Sequence, residues 1–195
     1  MLTPALWLAI AIAALCIVLQ LAGLDLTLRF DRDSISDGQW WLLLTGNFVH
    51  LGQSHLFMNM AGLALIVALV WPNYTALQWS TVIVVSSLTV GIAIYLRDPN
   101  TYWYVGFSGT LHGLLLAGSL ADFRRYPFSA SALTVLVIGK LGWEQFYGPL
   151  PGSESTAGGP VMVNAHLYGA IGGFVCAAAF FVISRLRAER PHQPL

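Results

Sequence analysis

The most constraining feature of this sequence is a series of long apolar runs separated by short polar breaks. The first run extends from Ala5 to Leu24 without a charged residue, and about 20 apolar residues suffice for a helix to cross a bilayer. In lipid, backbone groups must pair within a helix or a closed barrel, and runs this long suit helices. Five further runs occupy about 54–71, 76–96, 105–121, 128–147 and 161–184. The sequence therefore predicts an all-α membrane protein with six transmembrane helices in one domain over 1–195.

Composition excludes several classes of protein. Only 9% of the residues are charged, against about 25% in soluble proteins. The two cysteines lie inside apolar runs, which argues against a disulfide framework or a cysteine metal site. Nine Lys and Arg residues balance nine Asp and Glu residues without a long basic cluster, so nucleic acid is not an expected partner. The first run lacks a preceding basic residue, which argues against a cleaved signal peptide.

Basic residues predict the orientation of the chain in the membrane. Loops and tails rich in Lys and Arg face the cytoplasm, and five arginines support one orientation while three oppose it. Both termini are then cytoplasmic, including a tail over 185–195. The supporting residues are Arg124, Arg125, Arg185, Arg187 and Arg190, and the opposing ones are Arg29, Arg32 and Arg97.

In this topology the second, fourth and sixth helices all run inward, so their first turns lie at one depth. His55 and Asn59 open the second helix, Ser108 opens the fourth, and His166 lies in the second turn of the sixth. Ionisable residues in membrane helices usually face the bundle interior and have a function. A serine becomes a nucleophile when a base takes its proton, and histidine suits that role near neutral pH. The sequence predicts that His166 activates Ser108.

Glycines favour the required approach of the fourth and sixth helices. Gly109 and Gly113 form one small-residue face, and Gly169 and Gly173 form another, a spacing that lets membrane helices pack closely. Gly106 and Gly109 leave the Ser108 hydroxyl uncrowded at a helix N-terminus, which favours negative charge.

His55 and Asn59 lie one helical turn apart and can both donate hydrogen bonds. They are candidates for an oxyanion hole, in which each donor would contribute about 3 kcal/mol.

Three motifs in this order resemble the signature of the rhomboid intramembrane serine proteases, over about residues 40 to 175. They are Thr45-x-x-Phe48-x-His50-x4-His55-Leu56-x-x-Asn59-Met60, Gly106-Phe107-Ser108-Gly109, and Ala165-His166-x-x-Gly169-x-x-x-Gly173. The resemblance implies a six-helix rhomboid-like bundle with a Ser–His dyad, no catalytic aspartate and no metal or organic cofactor. It implies that Ser108 is the nucleophile, that His166 is the general base and then acid, and that His55 and Asn59 stabilise the oxyanion.

Within that family, two stretches look most similar to the rhombosortase branch. They are Gly106-Phe-Ser-Gly-Thr-Leu-His112-Gly and Lys140-Leu-Gly-Trp-Glu144-Gln. This resemblance implies cleavage near the outer face of a bacterial inner membrane. The implied substrates are membrane-anchored proteins that end in a Gly-Gly motif, an apolar helix and a basic tail. One departure is Leu42 after Trp41, where many rhomboids have arginine to hold the first outer loop.

Structural interpretations stand beside the catalytic ones. Ser108 could simply cap its helix, and His112 is expected to support the site rather than react. Lys140 and Glu144, four residues apart, are expected to form an internal ion pair, although they could recognise a polar feature of the substrate. The segment 148–160, rich in Gly, Pro and Ser, predicts a mobile loop that could cover the site.

Two rival functions remain open. The polar residues could line the path of a transporter, which Lys140 would serve and Ser108 would not. The chain could instead be an inactive rhomboid-like protein that binds membrane clients.

Overall fold

The computed structural model describes residues 2–188 and is almost entirely helical, as predicted; residues 189–195 of the expected cytoplasmic tail lie outside it. The long helices are α1 (Pro4–Leu21), α5 (Gln53–Val70), α6 (Ala76–Arg97), α7 (Ser108–Asp122), α8 (Pro127–Tyr147) and α10 (Val163–Ala188). Between them lie the short helices α2 (Asp25–Leu28), α3 (Arg32–Ser36), α4 (Leu42–Thr45) and α9 (Ser153–Ala157), and a 3-10 turn (Trp71–Asn73). Two short strands, β1 (Phe30–Asp31) and β2 (Trp103–Tyr104), pair antiparallel.

Four helices in the described part of the chain are long and apolar enough to cross a membrane. They are α1, α5 with its 3-10 extension, α6 and α10. The helix α7 has 15 residues, a length of about 22 Å, which is shorter than the hydrocarbon core. The helix α8 has 21 residues but includes Lys140 and Glu144. The chain is thus a multi-pass helical membrane protein, and the count of six spans stays a prediction.

Local chemistry sets several helix boundaries. Thr3 caps α1 by accepting a hydrogen bond from the Leu6 N–H, with Pro4 in the first turn. Thr75 and Gln78 form a capping box at the start of α6. The fourth apolar run was expected to be helical from about 105, but Gly106 has φ of 127°, outside the helical region. The helix α7 therefore begins at Ser108.

The helix α7 lies at the centre of the bundle and packs most closely against α10. Their glycine faces meet as the spacing predicts, because a Cβ on Gly169 would overlap the Gly109 carbonyl and one on Gly173 would overlap the Gly113 carbonyl. On the neighbouring face, Ser87 of α6 shares a buried 2.8 Å hydrogen bond with Thr110 of α7. These contacts fix the start of α7 between α6 and α10.

The segment between α1 and α5 folds into short elements that the apolar pattern did not predict. The Arg32 guanidinium holds this segment by donating to four carbonyls at 2.9 to 3.0 Å. Those acceptors belong to Ile94, Tyr95, Asp98 and Thr101, at or just after the end of α6. Leu42 is buried in a cluster with Phe30 and Ile35. An arginine is therefore present to hold this loop, but it is Arg32, and position 42 belongs to the apolar core.

The segment 148–160 is more ordered than its composition suggests. It contains α9, and the Ser54 hydroxyl of α5 donates to the Thr156 carbonyl in that helix. Ala157 is buried. Residues 153–157 thus form a short helix attached to α5, which the composition did not predict.

Candidate functional site

Ser108 and His166 are in hydrogen-bond contact. The Ser108 Oγ lies 3.0 Å from His166 Nε2. Ser108 is the first residue of α7, and the N-cap position belongs to Phe107, so Ser108 is not the capping residue of its helix. His166 lies in the first turn of α10 and is 5% exposed. The close glycine packing just below both residues brings this pair together.

Glu144 lies on the far side of the His166 ring. Its Oε2 lies 2.9 Å from His166 Nδ1, and its Oε1 lies 2.6 Å from the Lys140 ammonium. The ammonium is also 3.4 Å from His166 Nδ1. The expected ion pair of Lys140 with Glu144 is therefore present, and Glu144 additionally contacts the histidine, a contact absent from the sequence-based expectations. The contact forms because the last turns of α8 reach the level at which α10 begins, and helical periodicity alone does not indicate it.

His55 and Asn59 lie on one face of α5. The Leu51 N–H donates to His55 Nδ1 at 3.4 Å, so in the neutral ring Nε2 carries the proton and is a donor. The Asn59 amide donates one hydrogen to the His55 carbonyl at 3.0 Å and keeps a second one. A Cβ on Gly106 would lie 2.6 Å from the His55 ring, so only glycine fits beside it.

One cavity connects these side chains. Its volume is about 590 Å³. Seven predicted residues line it, namely His55, Asn59, Ser108, His112, Lys140, Glu144 and His166. Leu150, Ser153 and Ala157 of the segment 148–160 also line it, so that segment borders the cavity.

Two further histidines support the site. His112 Nδ1 donates to the Ser108 carbonyl at 2.7 Å, and its ring stacks on His166 with centroids 4.3 Å apart. His50 is fully buried with its ring edge-on to His55, and neither nitrogen has a hydrogen-bond partner within residues 2–188. Burial, reinforced by His55, lowers the pKa of His50 to about 3. His50 is therefore neutral at physiological pH and packs behind the candidate oxyanion donor.

Sequence reasoning missed Tyr104. Its buried hydroxyl donates to the Gly106 carbonyl at 2.7 Å, and the Gly106 N–H donates to the Gly46 carbonyl at 3.0 Å. These bonds hold the turn that precedes Ser108. A tyrosine two residues before a glycine gives no recognisable motif, so only the tertiary structure identifies it.

A metal ion fits this site poorly. His112, Glu144 and His166 offer ligand atoms within 4.8 Å of one another. The Lys140 ammonium, however, already supplies positive charge to Glu144 at 2.6 Å and would repel a cation.

Comparisons with known proteins agree with the architecture. The rhomboid domain family matches residues 37–183. "Putative rhomboid protease YdcA" from Bacillus subtilis (strain 168) is 24% identical over 141 residues, which are 72% of this chain and 67% of that protein. "Rhomboid protease GluP" from the same strain is 28% identical over 153 residues, or 76% of this chain. The matched region makes up only 28% of GluP.

Proposed function

Since the chain belongs to the rhomboid family, we propose that it is an intramembrane serine endopeptidase in which Ser108 is the nucleophile. The observation that carries this proposal is the 3.0 Å contact between Ser108 Oγ and His166 Nε2 at the wall of a large cavity. A serine and a base within hydrogen-bond reach are the arrangement that nucleophilic catalysis requires.

Ser108 and His166 divide the chemistry between them. His166 Nε2 takes the hydroxyl proton as Ser108 Oγ forms a bond to the scissile carbonyl carbon. His166 then returns that proton to the amine as the carbon–nitrogen bond breaks, which leaves an acyl-enzyme. Water adds to the ester by the same proton transfers, and Ser108 regains its hydrogen.

His55 and Asn59 are proposed to stabilise the oxyanion. His55 Nε2–H and the second Asn59 amide hydrogen are donors on the same cavity as Ser108, and the backbone N–H groups at the start of α7 add the positive end of a helix dipole. Each donor directed at the developing negative charge would contribute about 3 kcal/mol to the transition state.

The proposed substrates are membrane-anchored proteins, since the relatives are named rhomboid proteases and the site lies among membrane helices. We further assign the chain to the rhombosortase branch, with cleavage near a C-terminal Gly-Gly motif. The sequence 106–113 and the residues Lys140 and Glu144 support this assignment, because His112, Lys140 and Glu144 all line the cavity. The proposed location is a bacterial inner membrane with both termini in the cytoplasm and the site near the outer face.

A covalent probe tests the nucleophile. Purified protein in detergent should be labelled by a fluorophosphonate, and Ser108→Ala or His166→Ala should abolish labelling. Ser119→Ala is the matched control, because Ser119 is a buried serine of the same helix that donates to the Leu115 carbonyl; it should label normally. Labelling that persists in Ser108→Ala would exclude Ser108 as the nucleophile.

A co-expressed reporter tests the substrate class. A secreted domain followed by Gly-Gly, an apolar helix and a basic tail should be cleaved by wild-type protein and not by Ser108→Ala. Replacement of Gly-Gly by Val-Val should prevent cleavage. If both reporters are cut equally well, the chain is a protease without the proposed Gly-Gly preference, and if neither is cut by a labelled enzyme the sorting assignment fails.

A further inference from the structure

We infer that Glu144 is the positioning residue for His166, so that the site works as a Ser–His–Glu triad with Lys140 as the counter-ion of the carboxylate. This inference rests on the proposed function. It goes beyond the dyad that the family resemblance implies, because it gives the histidine a third partner on a separate helix.

The contacts form one chain across three helices. Ser108 on α7 contacts His166 on α10 at 3.0 Å, and His166 contacts Glu144 on α8 at 2.9 Å. His166 and Glu144 are 5% and 3% exposed, so solvent competes little for these bonds. The two ring nitrogens of His166 are therefore both engaged, one on each side.

The carboxylate decides which nitrogen of His166 carries the proton. An ionised carboxylate is only an acceptor, so His166 Nδ1 must donate to Glu144 Oε2. In the neutral ring, Nε2 then has a free lone pair directed at the Ser108 hydroxyl. This is the tautomer that can take the serine proton, and the carboxylate also stabilises the imidazolium that forms.

Lys140 determines how the site would respond to the loss of the Glu144 carboxylate. Its ammonium donates to Glu144 Oε1 and lies 3.4 Å from His166 Nδ1. In Glu144→Gln, the ammonium would retain the amide oxygen as its acceptor, which turns the amide NH₂ toward Nδ1. That NH₂ would donate to Nδ1 and move the ring proton to Nε2. His166 would then be unable to act as a base although the site keeps its shape.

The test uses the full-length protein and three variants that differ by a few atoms. Glu144→Gln should lower the rate of fluorophosphonate labelling about 100-fold or more, the range expected for loss of a general base. Lys140→Met alone should lower it less than about 10-fold. Glu144→Gln combined with Lys140→Met should recover about 10-fold over Glu144→Gln, because the amide is then free to rotate and accept from Nδ1.

The recovery is read together with the unfolding midpoint and the tautomer of His166. If Glu144 only stabilised the fold through its ion pair, removing the unpaired Lys140 would restore the rate and the thermal unfolding midpoint together and leave the ring proton of His166 on the same nitrogen in every variant. Labelling at the wild-type rate in Glu144→Gln, or a double variant no faster than Glu144→Gln, would overturn the inference. Folding of each variant is checked by circular dichroism and size-exclusion chromatography, and Glu144→Asp, which keeps the carboxylate, replaces Glu144→Gln if the latter does not fold. The aspartate variant should then label faster than Glu144→Ala.

A second measurement does not depend on activity. The nitrogen chemical shifts of ¹⁵N-labelled His166, assigned by comparison with His166→Gln, report which ring nitrogen is protonated. The proton should lie on Nδ1 in Ser108→Ala and move to Nε2 when Glu144→Gln is added; an unchanged tautomer would refute the inference. A wild-type protein that is not labelled at Ser108 would overturn the protease proposal instead, whatever the tautomer.

Discussion

Gly109→Ala should slow the reaction of Ser108 without removing any functional group. The added Cβ would lie 2.7 Å from the Ala165 carbonyl oxygen and 2.9 Å from a Val90 methyl group, whereas ordinary contacts begin at 3.4 Å. The carbonyl belongs to backbone and cannot rotate away. The helices α7 and α10 must therefore separate by about 0.7 Å, the amount by which 2.7 Å falls short of 3.4 Å.

That separation acts directly on the reacting pair. Gly109 follows Ser108, and Ala165 precedes His166, so the displacement passes to both side chains. Carried over in full, it would lengthen the 3.0 Å Ser108–His166 contact to about 3.7 Å, beyond hydrogen-bond range. Because a 1 Å misplacement can cost about 100-fold in rate, we expect the labelling rate to fall about 10- to 100-fold. Overpacking should also lower the unfolding free energy by about 1–3 kcal/mol.

The assay measures the rate of fluorophosphonate labelling and the thermal unfolding midpoint in the same detergent. Gly142→Ala is the matched control, because its Cβ would meet no atom of residues 2–188 within 4 Å. It should label like wild type and unfold slightly higher, since alanine favours a helix over glycine by about 0.5–1 kcal/mol. If folded Gly109→Ala is labelled at the wild-type rate, then close approach of α7 and α10 does not set the contact between Ser108 and His166.

Three further predictions concern Asn59, proposed as an oxyanion donor, and the segment between α1 and α5. Asn59→Ala should lower kcat on the reporter about 100-fold, while Asn73→Ala, in the 3-10 turn that follows α5, should leave it unchanged. Arg32→Lys should lower the unfolding free energy by about 2–4 kcal/mol, because a lysine cannot reach four carbonyls. Arg29→Lys, in a half-buried ion pair with Asp31 that a lysine can keep, should change it by less than about 1 kcal/mol. The Ser34 N–H bond holds the pKa of Asp31 below its usual range. The stability that Asp31 adds over Asp31→Asn should therefore be present above about pH 4 and disappear as the pH falls through the lowered pKa, and unfolding midpoints that keep the same difference in acid would contradict this.

The sequence was sufficient to predict that Ser108 and His166 meet, as their 3.0 Å contact confirms. Polar residues are rare in membrane helices, so Ser108, His166, His55 and Asn59 stand out against their surroundings. The direction of each helix then places them at one depth. The glycine spacing on α7 and α10 further indicates which two helices meet.

The contact of Glu144 with His166 was harder to foresee for a physical reason. A local partner four residues away, Lys140, already accounts for a buried carboxylate in the sequence. Helical periodicity places both residues on one face of α8, but it does not say which neighbour that face meets. That choice depends on packing with α7 and α10, which are distant in sequence.

The short elements between α1 and α5 were missed because their order comes from tertiary contacts. The guanidinium of Arg32 bonds to carbonyls 62 to 69 positions away, and β1 has two residues and pairs only with β2. Such short elements lack a periodic pattern that a sequence can show. The number of membrane spans does not follow from length and apolarity alone, because α7 is short and α8 carries charges although both belong to the bundle.

The distribution of the site over four helices has a consequence for biosynthesis. Synthesis proceeds from the N-terminus, so Ser108 enters the membrane well before His166, which lies on α10. A ribosome-bound intermediate that lacks α10 contains Ser108 without His166, and it exposes the glycine face of α7. Under the proposed mechanism, the nascent protein therefore lacks an activated nucleophile during insertion and becomes a protease in a single late step, when α10 docks.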